Sequence, residues 1–244
     1  MFYRVARLPL VGPCPTLLQV GHYHELLIIQ DMASSIPGDL YEISEPRLRE
    51  DPVLASIMDS LPELPDRRRA HGSISRGLMS AIIGQQISLQ AATSIRERFT
   101  ALYDGDWPSP EQVLTTDVDE LRAVGLSRSK VNYVRAVAEY LKEHTETELR
   151  ALSDEDLEHS LLQVRGVGPW TVRILMMFTL HRTDVLPLGD LVICQMIAHH
   201  YDLDLKSKDF KKQAHKIAEA WIPYRSHACF LLWGSYRQMK EEGK

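Results

Sequence analysis

The sequence predicts a mainly all-α protein, and three observations carry that prediction. From Asp51 onward apolar residues recur at helical spacing, and no convincing strand pattern follows that residue. A glycine-bracketed turn, Leu162-Gln-Val-Arg-Gly166-Val-Gly168-Pro-Trp170-Thr171, reads as a tight join between two helices. At 244 residues the chain can bury a substantial core, and its 44% hydrophobic and 25% charged content is that of an ordinary globular protein.

Each element has its own signal. Residues 1–50 form an extension that carries Pro9, Pro13, Pro15 and Pro37, and its apolar Leu26–Ile29 stretch allows a short strand. The body spans residues 51–244. Pro52 suits the first turn of a helix that Pro62 and Pro65 stop after Leu61. Residues 73–87 and 88–103 show apolar positions at i, i+3 and i+4, with Ser88 as the cap between them. Asp104–Pro110 reads as a loop, followed by helices over 118–124 and 130–142 joined at Gly125-Leu-Ser. That join, Leu121-x-x-x-Gly125-Leu-Ser, echoes Leu162-x-x-x-Gly166-Val-Gly as a degenerate repeat. Ser153 with Asp156 resembles a capping box. Helices then follow at about 170–181, 190–201, 207–221 and 226–241.

Composition excludes several functions. No apolar run approaches the ~20 residues that span a bilayer, and the N-terminus lacks the apolar core and cleavage site of a signal peptide. Three scattered cysteines, Cys14, Cys194 and Cys229, fit reduced thiols in the cytoplasm and argue against a disulfide framework or a zinc site. The net charge of −5 is unusual for a nucleic-acid partner, but it is unevenly distributed. Residues 161–240 hold eleven Lys or Arg against six acids, a local +5, whereas residues 1–60 hold four against eight. The positive charge therefore lies with the glycine turn.

Glycine has no Cβ to block a close approach, and a helix N-terminus favours anions, so a turn of this kind can grip a phosphate. Leucine stands four residues before Gly166 and threonine three after Gly168, and Leu186-Pro-Leu-Gly-Asp190-Leu191 comes next. Together with Ile82-Ile-Gly-Gln85-Gln86-Ile-Ser88 and Pro223-Tyr-Arg-Ser226, that set resembles the helix-hairpin-helix–GPD superfamily of DNA glycosylases. The closest match is its alkylation-repair branch, the DNA-3-methyladenine glycosylase II family, over about Asp51 to Trp233. The resemblance implies two helical lobes with a cleft between them. It also implies an enzyme that flips an alkylated purine, 3-methyladenine or 7-methylguanine, out of duplex DNA and hydrolyses its glycosidic bond.

The resemblance assigns the chemistry residue by residue. Asp190 takes the place of the one essential carboxylate, although an aspartate opening a helix is also an ordinary N-cap. Breaking an N-glycosidic bond develops oxocarbenium charge on the sugar, which a preoriented carboxylate stabilises. Trp170 and Trp233 match aromatics of the base pocket, where an indole face attracts a cationic base; Ile174 stands where the family often has another aromatic. Gln86 matches the wedge that fills the gap left by the flipped base, and Gln85 a lesion-side contact. Gly166, Val167, Gly168 and Thr171 would contact the DNA backbone. Bifunctional relatives need a lysine where this chain has Trp170, so no lyase step is expected.

No cofactor is required by this reading. No side-chain metal site is expected, but the carbonyls of Leu162, Val164 and Val167 match a sodium or potassium site of such hairpins. Three cysteines exclude a four-cysteine iron–sulfur cluster. Arg225 reads as a structural ion pair, the lysines 206, 208, 211 and 212 as a solvated face, and His199-His200 as packing. The expected partner is damaged double-stranded DNA, with no membrane, a monomeric state, and a cytoplasmic place (with the nucleoid in a bacterium, nuclear in a eukaryote). Two other readings stand beside this one: a glycosylase for uracil or hypoxanthine, and a hairpin protein that binds DNA without catalysis.

Overall fold

The computed structural model describes residues 39–62 and 72–243, so the Leu26–Ile29 stretch lies outside the described residues. Helices fill this part, and no strand is found among the described residues. In chain order they are α1 (Asp39–Leu48), α2 (Pro52–Ser60), α3 (Ile74–Gly84), α4 (Leu89–Ala101), α5 (Pro110–Thr115), α6 (Val118–Ala123) and α7 (Arg128–Glu143). Then follow α8 (Glu146–Ala151), α9 (Asp154–Leu161), α10 (Pro169–Phe178), α11 (Leu191–His200), α12 (Phe210–Ala218), a 3₁₀ turn (Glu219–Trp221) and α13 (Arg225–Glu242).

Local chemistry explains most boundaries. Ser73, Ser88, Ser109, Asp117, Ser127, Thr145 and Ser153 each turn a side-chain oxygen onto an N–H of the first helical turn. The α9 cap is only half of a capping box. Ser153 accepts from the Asp156 N–H, but the Asp156 carboxylate takes the serine hydroxyl at 2.7 Å in place of the Ser153 backbone. Helix α3 stops at Gly84, short of the expected Ile87, because Gln86 adopts the left-handed φ of 58°. Two short helices, α5 and α8, occupy stretches where periodicity predicts none.

Packing falls into two groups. Helix α7 is the centre of the first, buried against α3, α5 and α6 through Val131, Val134, Val137 and Ala138. The second gathers α1, α2 and α11 around α13, with α12 against α11 and the 3₁₀ turn, and with Trp221, Leu231 and Leu232 fully buried. Helix α1 belongs to this second group although it falls within residues 1–50. Its Leu48 and Ser44 are fully buried, and it packs on α13 and the 3₁₀ turn.

Helix α10 ties the two groups together. On one side it lies against α9 and α3, so close that a Cβ on Gly77 would fall 2.6 Å from both Leu175 Cδ1 and Thr179 Oγ1. On the other, Phe178 packs against Phe230 and Trp233 of α13, with ring centroids 5.3 and 5.7 Å apart. The first residues of α10, directly after Gly168, are thereby fixed between the lobes.

Candidate active site and hairpin

Asp190 is the N-cap of α11, and it is also the meeting point of three elements. Its Oδ1 accepts the Ile193 N–H at 2.9 Å, the ordinary capping bond. The same oxygen accepts the Trp233 indole N–H from α13 at 3.3 Å, and Oδ2 accepts the Trp170 indole N–H from α10 at 3.0 Å. The carboxylate has no exposed surface. Burial therefore raises its pKa, against the opposing pull of the Trp170, Ile193 and Trp233 donors. A cap alone would need one backbone bond; two indole donors in addition hold a buried charge in a fixed orientation.

The loop that carries Asp190 is anchored from α13. Arg225 forks onto Asp184, Nε to Oδ1 at 2.7 Å and Nη2 to Oδ2 at 2.9 Å, the structural pairing expected of it. Ser226, fully buried, donates to the Arg182 carbonyl and accepts the Val185 N–H. Ile174, in place of an aromatic, is core and fully buried. Trp233 is buried as well, so its hydrogen bond to Asp190 and its packing are one role.

The remaining expected site residues gather elsewhere. A cavity of about 640 Å³ lies between the α3–α4 turn, the start of α7 and the glycine hairpin. Gln85, Gln86, Gly166, Val167, Gly168 and Thr171 all line it, whereas Asp190, Trp170 and Trp233 do not. Gln85 does not reach the Asp190 carboxylate; its Nε2 donates to the Gly166 carbonyl at 3.1 Å. Gln86 is exposed on the turn.

The hairpin requires its first glycine. Gly166 has φ 91°, and a Cβ there would lie 2.3 Å from the Tyr133 ring, which Arg165 overlies at 6.0 Å. Gly168 differs: no side-chain oxygen caps α10, and the space around this glycine is open to 4 Å. With no side-chain oxygen on them, the first N–H groups of α10 are left for another acceptor, which suits an anion. Among the three carbonyls matched to a monovalent cation, that of Val164 accepts the Val167 N–H at 3.0 Å. A carbonyl oxygen has two lone pairs, so this bond leaves one for a cation.

The two glycine joins that echo each other in the sequence meet on one cavity. Gly125, with φ 106°, faces the same cavity as Gly166, and Ser127, Ser129 and Lys130 line it beside Tyr133. None of these five is among the expected site residues, and the echo of the glycine spacing is the signal that points to them. His200 Nε2 lies 2.9 Å from Ser235 Oγ, as packing predicts, and no cluster of three metal-ligating side chains occurs among the described residues. Lysines 206, 208, 211 and 212 are exposed. No described helix is long and apolar enough to cross a membrane.

The chain is 34% identical to DNA-3-methyladenine glycosylase 1 of Schizosaccharomyces pombe over 160 residues, 64% of this chain and 69% of that protein. It is 34% identical to YfjP of Bacillus subtilis over 171 residues, 67% of this chain but only 59% of that relative's length. Among solved structures, the S. pombe 3-methyladenine DNA glycosylase Mag1 in complex with abasic DNA matches with a TM-score of 0.70 and 28% identity, covering 80% of this chain and 97% of that one. The model of the HhH-GPD superfamily base excision DNA repair proteins matches residues 79–223. That stretch contains the Gln85–Gln86 turn, the glycine hairpin, Trp170 and Asp190, and the chain belongs to the HhH-GPD superfamily of base excision DNA repair proteins.

Proposed function

We propose that the chain is a monofunctional DNA glycosylase that excises alkylated purines, 3-methyladenine and 7-methylguanine, and leaves an abasic site. The observation that carries the reading is the buried Asp190 carboxylate held by the Trp170 and Trp233 indoles beside the hairpin. An alkylated purine is electron-poor and cationic, so its glycosidic bond is already weakened and an indole face favours it by ~0.5–2 kcal/mol. The aspartate then has a limited task. As the bond to the base lengthens, positive charge grows on the sugar, and the Asp190 anion stabilises that charge and orients the attacking water.

Trp170 serves two purposes in this scheme. It supplies the aromatic wall, and its N–H donates to Asp190 Oδ2, which holds the carboxylate in orientation and favours its anion. Residue 170 has no nucleophilic amine, and Lys130, which lines the hairpin cavity that Asp190 does not line, donates its Nζ to the Ile83 carbonyl, which favours hydrolysis without backbone cleavage.

The partner is double-stranded DNA bearing a damaged base, met wherever the chromosome lies, and the monomer suffices. The hairpin N–H groups grip a phosphate. A sodium or potassium ion on the Leu162, Val164 and Val167 carbonyls would add positive charge there.

The test is incubation with a methylated duplex, identification of released base by mass, and mild alkali treatment of the strand. Release of 3-methyladenine or 7-methylguanine with breaks only after alkali supports the proposal. Release of uracil or hypoxanthine alone moves the substrate class, breaks without alkali overturn the monofunctional assignment, and duplex binding with no release leaves a DNA-binding protein.

A further inference from the structure

Lys130 is placed to do something that the excision chemistry does not use. It is the third residue of α7, its N–H accepted by the Ser127 cap, and its side chain runs back across the cavity to α3. There Nζ donates to the Ile83 carbonyl at 2.7 Å, in the last turn of the helix. Arg96 from α4, itself buried, donates from Nη2 to the Ser80 carbonyl at 3.2 Å, one turn earlier. Two cations thus sit on the carbonyl end of one helix, where the dipole favours positive charge.

The Gln85–Gln86 turn leaves directly from that end of α3. Gln85 is tied in the opposite direction, to the Gly166 carbonyl of the hairpin at 3.1 Å. Gln86, exposed and left-handed at φ 58°, follows directly after the two tied residues, Ile83 and Gln85. Keeping an ammonium half-buried beside Arg96 has a cost, visible as a pKa lowered to about 8 by desolvation and by the Arg96 charge. A side chain that only filled space would do so more favourably as methionine.

We propose that Lys130 is a positioning residue for base extrusion: it braces the Gln85–Gln86 turn so that the turn holds its shape when pressed into stacked base pairs. The proposal rests on the glycosylase reading above. Extrusion costs a few kcal/mol when the base is paired and stacked, and less when it has no partner. A brace therefore matters in proportion to that cost, whereas a general folding defect slows every substrate alike.

The experiment compares wild type, Lys130→Met and Lys130→Arg on two duplexes with one 7-methylguanine each, opposite cytosine or opposite a stable abasic analogue. Single-turnover excision is measured, together with the fluorescence of a 2-aminopurine next to the lesion as a direct report of extrusion. The expected result for K130M is extrusion and excision slowed about tenfold on the paired duplex and within about twofold of wild type on the unpaired one, with K130R restoring most of the loss. Equal slowing on both duplexes, or none on either, overturns the proposal. Wild type that extrudes but never excises sinks the glycosylase reading instead, and K130M still decides the brace from the fluorescence.

Discussion

Replacing Trp170 with phenylalanine removes one donor from a buried carboxylate while leaving an aromatic face in the wall. The lost bond is Nε1 to Asp190 Oδ2, 3.0 Å, to a group with no exposed surface. Hydrogen bonds to charged groups contribute about 1.5–3 kcal/mol, so without the indole donor the Asp190 carboxyl in W170F should hold its proton to higher pH than in wild type. The sign is set by the form that the indole favours. Its N–H stabilises the anion, so losing it adds to the upward push that burial already exerts. Only the anion stabilises the developing sugar charge. The assay is single-turnover release of 7-methylguanine from duplex DNA between pH 5 and 9. The acid limb of the rate profile should move toward alkaline pH, with the plateau rate within about tenfold of wild type because the ring remains. An acid limb that stays in place, or moves toward lower pH, refutes the role given to the indole bond.

Gly166→Ala places a Cβ 2.3 Å from the Tyr133 ring at φ 91°, so it should lower the melting temperature and weaken duplex binding at least about tenfold through a displaced hairpin. Gly168→Ala, whose Cβ would meet nothing within 4 Å, should leave the melting temperature within a few degrees. Burial holds His200 and His227 at pKa values of about 4, below the ordinary 6.5, so the unfolded chain takes up protons first and native stability falls as pH drops from about 6.5 toward 4. Urea unfolding at pH 7.5 and 5 should show a loss of about 2 kcal/mol per histidine at the lower pH, reduced by the opposite contribution of Asp190. His200→Gln should remove its share of that loss, and an unchanged pH dependence in that variant would contradict the assignment.

Legibility in the sequence tracked the reach of each interaction. The helical class and the caps at Ser88 and Ser153 depend on residues three or four apart, and they could be read directly. The α5 and α8 helices could not be read from periodicity because six residues are under two turns. Their signals were the reciprocal caps Ser109/Gln112 and Thr145/Glu148, which fix a helix start without an apolar stripe. Asp190, Trp170 and Trp233 were legible as a motif, yet their mutual hydrogen bonds join residues 20 and 43 positions apart, which no local rule supplies. Gln85 shows the limit most clearly. Its partner is a backbone carbonyl 81 residues away, and carbonyls carry no sequence signature. The same holds for Lys130 on Ile83.

In the proposed mechanism Asp190 is the catalytic carboxylate and not only a helix cap. Asparagine caps a helix about as well as aspartate, so Asp190→Asn separates the two roles. We would measure single-turnover excision of 7-methylguanine by D190N beside its binding to a duplex with a stable abasic analogue, after checking its melting temperature. Binding should stay within about twofold of wild type while excision slows at least about a thousandfold. Excision near the wild-type rate by a folded D190N would leave the aspartate a cap and move the catalytic centre elsewhere.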